Sequence, residues 1–270
     1  MNEHALKKTL ADLHLGGIRY FESLGSTNDE ALAWATAGAP DRSLVVTEEQ
    51  THGRGRLDRR WFTPKGTALA FSLILHPSAA MRPHLSRTVG LAALSIADSL
   101  LKHGLAAYIK WPNDILLSEK KVAGILVESV WSGSEVDSVV IGMGMNVTKD
   151  SVPPFHLLRF PATSIEQELG KVPEREKLIR DILAALFLRL PQITSYTLIE
   201  EWQDRLAFRG EHVQIINELD RSSKDATVNP FIGELLGLEP DGSLRLRSEH
   251  GNPVTVHFGD VSLRPSADTI

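Results

Sequence analysis

Residues 106–117, 122–131 and 137–147 are three β-type segments in close succession, and they follow a long helical pattern over 82–103. Strands spaced this closely pair as antiparallel hairpins, because a parallel crossover needs a dozen or more intervening residues. The preceding helix shows Leu85, Val89, Ala92, Ile96 and Leu100 at helical spacing, with Gly104 as its stop. The spacing further predicts a short helix over 3–14 and strands over 18–22, 43–48 and 67–75. Ser26-Thr27-Asn28-Asp29-Glu30 reads as a capping signal for an alanine-rich helix. Helices are expected at 174–190 and 195–206, with Pro191 between them. Strands followed by helices make this part α+β, with a mixed, mainly antiparallel sheet. Near Phe208 the pattern changes to short strands at 211–216, 231–238, 243–248 and 253–258, with Asp241-Gly242 as a hairpin signal. The chain therefore divides into residues 1–207 and a small β-barrel over 208–270.

The chemistry concentrates first in Gly53-Arg54-Gly55-Arg56-Leu57-Asp58-Arg59-Arg60-Trp61. Glycine lets backbone N–H groups approach a ligand, and arginine offers a rigid fork of donors suited to phosphate and carboxylate. A run like this is more often a solvated basic turn. Here it lies in a chain of net charge −5, so it is a local positive site in an acidic protein. That fits a small anionic ligand better than a nucleic acid, which calls for a broad basic surface. The sequence has no cysteine, which excludes disulfides, thiolate catalysis and zinc–cysteine sites. Met1-Asn2-Glu3-His4 does not open a signal peptide, and no apolar stretch is long enough to span a bilayer. A cytoplasmic protein without DNA or membrane partners is expected.

Three further clusters follow. Lys110-Trp111-Pro112-Asn113-Asp114 joins a turn-forming Pro-Asn to a lysine and a carboxylate, and serves equally as a capped turn or a polar pocket wall. Lys121-Val122-Ala123-Gly124 puts a compact point charge at the mouth of an apolar strand, where taken alone a surface lysine is the plainer reading. Gly142-Met143-Gly144-Met145-Asn146 alternates glycine within a strand, which implies close approach by a backbone or a ligand. It lacks the third glycine and helix of a dinucleotide fingerprint.

In this order, and together with Ser26-Thr27-Asn28 and Gln50, the clusters resemble biotin protein ligases. The resemblance runs from about residue 20 to 148 and continues more weakly through Phe258-Gly259-Asp260-Val261-Ser262-Leu263-Arg264. It implies a catalytic domain like that of class II aminoacyl-tRNA synthetases, followed by an SH3-like barrel. It also implies adenylation of biotin by ATP with Mg²⁺, then transfer to a lysine of a biotin carboxyl carrier protein. No metal-ligating residue is assigned. Only about twenty residues precede the catalytic motifs, so no winged-helix repressor segment is expected. A homodimer through the catalytic sheet is open.

By the same resemblance, Lys121, Arg56 and Asp114 form the catalytic group. Ser26, Thr27, Asn28, Gln50, Arg54, Gly55, Arg56, Lys121 and Gly124 hold biotin. Arg54, Arg56, Arg59, Trp61 and Asn146 hold the nucleotide, with Arg264 as a weaker candidate. Three roles are open to Asp114: orienting Lys121, holding the metal, or assisting the incoming amine. Asp58 stands where the family loop has its last glycine, and makes the role of Arg59 less secure than that of Arg54 or Arg56. The rival readings are a lipoate or octanoate ligase, and a non-catalytic binding protein.

Overall fold

The structure is a computed structural model that describes residues 1–57, 59–217, 231–257 and 261–265. The first part runs α1 (Glu3–Thr9), β1 (Gly17–Phe21), α2 (Thr27–Thr36), β2 (Ser43–Thr47), β3 (Ala68–Leu75), α3 (Thr88–Lys102), β4 (Tyr108–Lys110), β5 (Asp114–Leu117), β6 (Lys120–Ser132) and β7 (Glu135–Asn146). The helices α4 (Ile165–Leu169), α5 (Arg175–Arg189) and α6 (Tyr196–Asp204) follow. The remaining strands are β8 (His212–Asn217), β9 (Phe231–Leu238), β10 (Leu244–Ser248), β11 (Pro253–Val256) and β12 (Val261–Pro265).

Strands β1 to β7 form a seven-stranded sheet in the order β1-β2-β3-β7-β6-β5-β4. Only the β1–β2 pair is parallel; every other neighbouring pair is antiparallel. The two-residue period of the strands divides the sheet into two faces. Leu69, Phe71, Leu73, Ile141, Met143, Met145, Ala123 and Ile125 join the main core with α3, α5 and α6. Burying each of the larger side chains contributes about 1.5–3 kcal/mol. On the opposite face Ile74 and Val140 pack with Ala31 and Ala35 of α2 in a smaller cluster. The same face continues as Ser72, Gly142, Gly144, Gly124, Leu126 and Asp114, aligned across β3, β7, β6 and β5. The start of α2 covers Ser72 and Gly142, and the cavity lies beyond it, over Gly144, Gly124 and Asp114.

Several sequence expectations are refined. The helix expected over 3–14 is α-helical only to Thr9, with a 3₁₀ turn at Ala11–Leu13. The helix over 82–103 begins as a 3₁₀ turn, Arg82–Arg87, with Pro83 in its first turn, where the missing N–H costs no helical hydrogen bond. The segment 106–117 is two strands, β4 and β5, folded about a turn at Trp111–Asn113 whose Trp111–Pro112 peptide is cis. Gly90 of α3 has no room for a Cβ, which would sit 2.1 Å from the Trp202 ring, so α6 packs directly on that turn of the helix.

Strands β8 to β12 form a separate, wholly antiparallel sheet in the order β11-β10-β9-β8-β12. Its β9–β10 turn falls at Asp241-Gly242, with Gly242 at φ 86°. Three successive carbonyls of that turn accept from the first part of the chain. Arg87 Nε donates to Pro240 O (2.8 Å), Ser86 Oγ to Asp241 O (2.8 Å) and Trp111 Nε1 to Gly242 O (3.0 Å). The turn thus fastens to the fully buried indole that sits between Lys110 and Pro112.

Candidate active site

The glycines of β7 are where other pieces of the chain come down onto the sheet. A Cβ at Gly142 would lie 2.0 Å from Asn28 Oδ1, and one at Gly144 would lie 2.4 Å from Trp61 Nε1. The start of α2 and the end of the arginine loop therefore rest on adjacent spots of one strand.

The loop is a narrow hairpin. Trp61 N donates to Gly53 O (2.8 Å) and Gly55 N to Arg59 O (2.7 Å). Gly53 is held between Gln50 and Trp61, with the Trp61 carbonyl 2.3 Å from where its Cβ would stand. Leu57, with φ 58°, takes the left-handed conformation at the tip; Asp58 lies outside the described residues. The Trp61 indole covers Gly144 and Gly124, and the Lys121 ammonium stands 5.2 Å from its ring centre. Arg54 is paired with Asp29 (2.8 Å) and Glu128 (2.7 Å). Arg56 Nη1 reaches Asn113 Oδ1 at 3.5 Å.

Asp114 is paired with Lys121 at 2.5 Å and Lys110 at 3.2 Å, and its side chain is only 13% exposed. Burial pushes its carboxyl up, but the charges and hydrogen bonds of Lys121 and Lys110 outweigh burial and hold it well below the usual carboxylate range. Asn113 secures this turn to β6, donating from Nδ2 to Ile125 O (2.7 Å) and accepting Ile125 N–H at its backbone oxygen (2.9 Å).

At the start of α2, Ser26 occupies the N-cap position but its side chain makes no capping hydrogen bond. Gln50 caps the helix instead, its Oε1 accepting Thr27 N–H (2.9 Å) and lying 3.2 Å from Thr27 Oγ1. Asn28 donates from Nδ2 to Glu128 Oε2 (2.8 Å) and Leu126 O (3.2 Å). Ser72 Oγ stands 2.6 Å from Asn28 Oδ1 and 2.8 Å from Thr27 Oγ1.

These pieces enclose a cavity of about 620 Å³. Arg54, Arg56, Arg59, Arg60, Lys110, Lys121 and Arg159 line it, with Asp114 as the one acidic residue among the described lining.

Residues 20–146 match the model of the biotin/lipoate A/B protein ligase family. A biotin–[acetyl-CoA-carboxylase] ligase of Paracoccus denitrificans is 35% identical over 240 residues, which cover 85% of this chain and 93% of that protein. The chain belongs to the biotin protein ligase family. A bifunctional ligase/repressor of Bacillus spizizenii is 31% identical over 90% of this chain and 73% of its own length. Among solved structures, a biotin protein ligase from Aquifex aeolicus in complex with biotin and ATP superposes with a TM-score of 0.77. It is 26% identical, over 93% of this chain and 99% of that one. The mixed α+β fold of this biotin protein ligase family member, with its mainly antiparallel main sheet, matches that structure.

Ser26, Thr27, Asn28, Gln50, Arg54, Gly55, Arg56, Arg59, Trp61, Asp114, Lys121, Gly124 and Asn146 all line the one cavity. Trp61 lies on the glycine floor beside Lys121. Asn146 Nδ2 is committed to Thr163 O (3.0 Å), so Asn146 also anchors the segment that follows β7. Val261–Pro265 form β12, which includes Arg264; Phe258, Gly259 and Asp260 lie outside the described residues. Sequence reasoning missed Ser72, Glu128 and the wall at 153–162, where Lys110 stands 5.0 Å from the Phe160 ring centre. The alternation Gly124, Leu126, Glu128 along β6 holds the signal for Glu128, since all three share one face. Nothing in the sequence of 153–162 announces its place.

Proposed function

We propose that this cavity joins biotin to ATP, giving biotinyl-5′-adenylate and pyrophosphate, and then passes biotin to a lysine of a biotin carboxyl carrier protein, releasing AMP. The protein is an ATP-dependent biotin–protein ligase, as are its named relatives. The observation that carries the reading is the charge of the cavity: among the described residues, seven Lys and Arg side chains and one Asp line it in a protein of net charge −5.

The first step brings a carboxylate against a phosphate. Two like charges about 4 Å apart repel by roughly 4 kcal/mol at an effective dielectric near 20, so cations must already stand at the junction. Lys121, Arg56 and Arg54 supply them, with Arg59 further along the loop. They act by stabilising charge that develops as the phosphorus–oxygen bond forms and pyrophosphate leaves. Ser26, Thr27, Asn28 and Gln50 hold the ureido ring, whose N–H and C=O groups need acceptors and donors. Gly55 leaves room for the ligand against the loop, and Gly124 lets Trp61 and Lys121 lie close on the strand beside it. Trp61 and Asn146 border the nucleotide. In the second step the fixed adenylate presents its acyl carbon to the incoming amine, an orientation effect.

Of the roles open to Asp114, orienting Lys121 has the support. A carboxylate held below its usual range is a weak base, and both its oxygens are already engaged by lysines. For the same reason it does not suit a metal. Among the described residues no group of three or more His, Cys, Asp or Glu side chains could hold an ion. We read Mg²⁺ as accompanying the phosphates of ATP, because such an ion keeps several waters and takes only one or two carboxylates from a protein. By the same resemblance we read residues 1–207 as a class II synthetase-like catalytic domain and 208–270 as an SH3-like barrel.

Pyrophosphate exchange into ATP, in parallel reactions with biotin, lipoate or neither, tests the reading. Exchange that requires biotin is expected. Exchange with lipoate alone moves the protein to the related ligase class, and no exchange with either refutes the reading.

A further inference from the structure

Glu128 takes no part in the reaction scheme above and does not line the cavity, yet it ends a chain of polar contacts that does. Its carboxylate accepts from Asn28 Nδ2 at 2.8 Å, and the same amide nitrogen donates to Leu126 O at 3.2 Å. The opposite amide orientation would press Asn28 Oδ1 against a carboxylate and a carbonyl, two oxygen–oxygen repulsions in a residue only 4% exposed. The carboxylate therefore fixes which way the amide points, and Asn28 Oδ1 faces Ser72.

The protons can then be counted. Ser72 is fully buried and has one hydroxyl proton, and its shorter contact, 2.6 Å, is with Asn28 Oδ1, which can only accept. That spends the proton. The two internal neighbours of Thr27 Oγ1 are now both acceptors: Ser72 Oγ at 2.8 Å and Gln50 Oε1 at 3.2 Å. The Thr27 proton goes to one of them. What Thr27 Oγ1 turns toward the cavity is a lone pair.

We propose that Glu128 is a positioning residue that sets the hydrogen-bond polarity of this wall through Asn28, Ser72 and Thr27, so that the wall accepts an N–H from the ligand. The inference rests on the biotin reading, since a cyclic urea brings such N–H groups and a dithiolane ring does not. Gln50 complements it: its Oε1 is held by Thr27 N–H, which leaves its amide nitrogen as a donor, 3.3 Å from Thr63 Oγ1.

Glu128 also pairs with Arg54, so the test must separate the two contacts. Steady-state pyrophosphate exchange is measured for Glu128→Leu, which removes the acceptor, for Ser72→Ala, for their double variant and for Asp29→Asn, varying biotin and ATP in turn. Glu128→Leu is expected to raise the KM for biotin about tenfold to a hundredfold, the range for losing a hydrogen bond to a charged group. The KM for ATP and kcat should stay within about threefold. Ser72→Ala, which deletes a single oxygen, should do the same, and the double variant should be no worse than the larger single effect. Asp29→Asn removes only the other partner of Arg54 and should leave the KM for biotin unchanged.

An unchanged biotin KM in Glu128→Leu overturns the proposal, as do additive effects or a parallel fall in kcat. An Asp29→Asn variant that matches Glu128→Leu assigns the effect to Arg54 and overturns it too. If Glu128→Leu does not fold, an unchanged biotin KM in Ser72→Ala decides against the relay. Wild-type protein with no biotin-dependent exchange refutes the functional reading itself, and this inference with it.

Discussion

The two ends of the cavity solve opposite problems. At the α2 end, Thr27, Asn28, Gln50 and Ser72 bond to one another and to Glu128, in geometry fixed before any ligand arrives. At the loop end, cations gather around one carboxylate that both lysines already share. A neutral ring is recognised by the direction of hydrogen bonds, which demands fixed partners. An anion in transit is recognised by charge, which tolerates a loop. The loop accordingly hangs from two glycines and a tryptophan, whereas the Asn28 amide is pinned to β6 and lies over Gly142 of β7.

The largest effect should come at the charged end. Lys121→Ala is expected to lower kcat for biotin-dependent pyrophosphate exchange about 10²–10³-fold, in line with loss of one preorganised charge-stabilising donor. A comparable loss in Ser26→Ala would erase the distinction between the ends.

Asp114→Asn comes next. It leaves Lys110 and Lys121 facing each other without their shared anion, and should cost about 3 kcal/mol in denaturant unfolding. The folded-state carboxyl is held below its unfolded value, so its contribution is fully present above the unfolded pKa, about 3.9. It is lost as pH falls below that. The wild type should therefore lose stability more steeply below about pH 4 than Asp114→Asn does.

A sharper division comes from two glycines on one strand. Gly142→Ala places a methyl group against Asn28, and Gly144→Ala places one against Trp61. The first should raise the KM for biotin about tenfold, and the second the KM for ATP by a similar factor, each about the worth of one displaced contact. If both variants move the same constant, the cavity does not have two separable ends.

The smallest effect lies outside both ends. Trp111→Phe removes the donor to Gly242 O, at about 1–2 kcal/mol of stability. Because the indole sits between Lys110 and Pro112, kcat should fall a few-fold while both KM values hold, tying the second sheet to the charged end alone.

Much of this was legible from residues close together in the chain. Gly53–Trp61 and Lys110–Asp114 declare themselves because neighbouring residues must share a loop or turn. Strand periodicity placed β3, β6 and β7 well, and Asp241-Gly242 fell at a real turn. Local signals misled where a distant residue intervened. Ser26 has the right chemistry and position for a cap, yet Gln50 arrives from beyond β2 to cap the helix. The segment 106–117 reads as one β-type run by its apolar residues, although its own Pro112-Asn113 marks the turn at which the structure divides it into β4 and β5.

The sequence by itself determined which chemistry is present: guanidinium and ammonium groups, amides and hydroxyls, and glycines spaced to expose one face of a strand. Those are properties of residue type and period. Only the tertiary structure decided which groups are spent on one another. Glu128 reaches Asn28 across 100 positions, and Gly242 O accepts the Trp111 N–H across 131. Hydrogen bonds and ion pairs act over about 3 Å in space whatever the separation along the chain. The direction in which Thr27 offers its oxygen is therefore set by a carboxylate that no local reading connects to it.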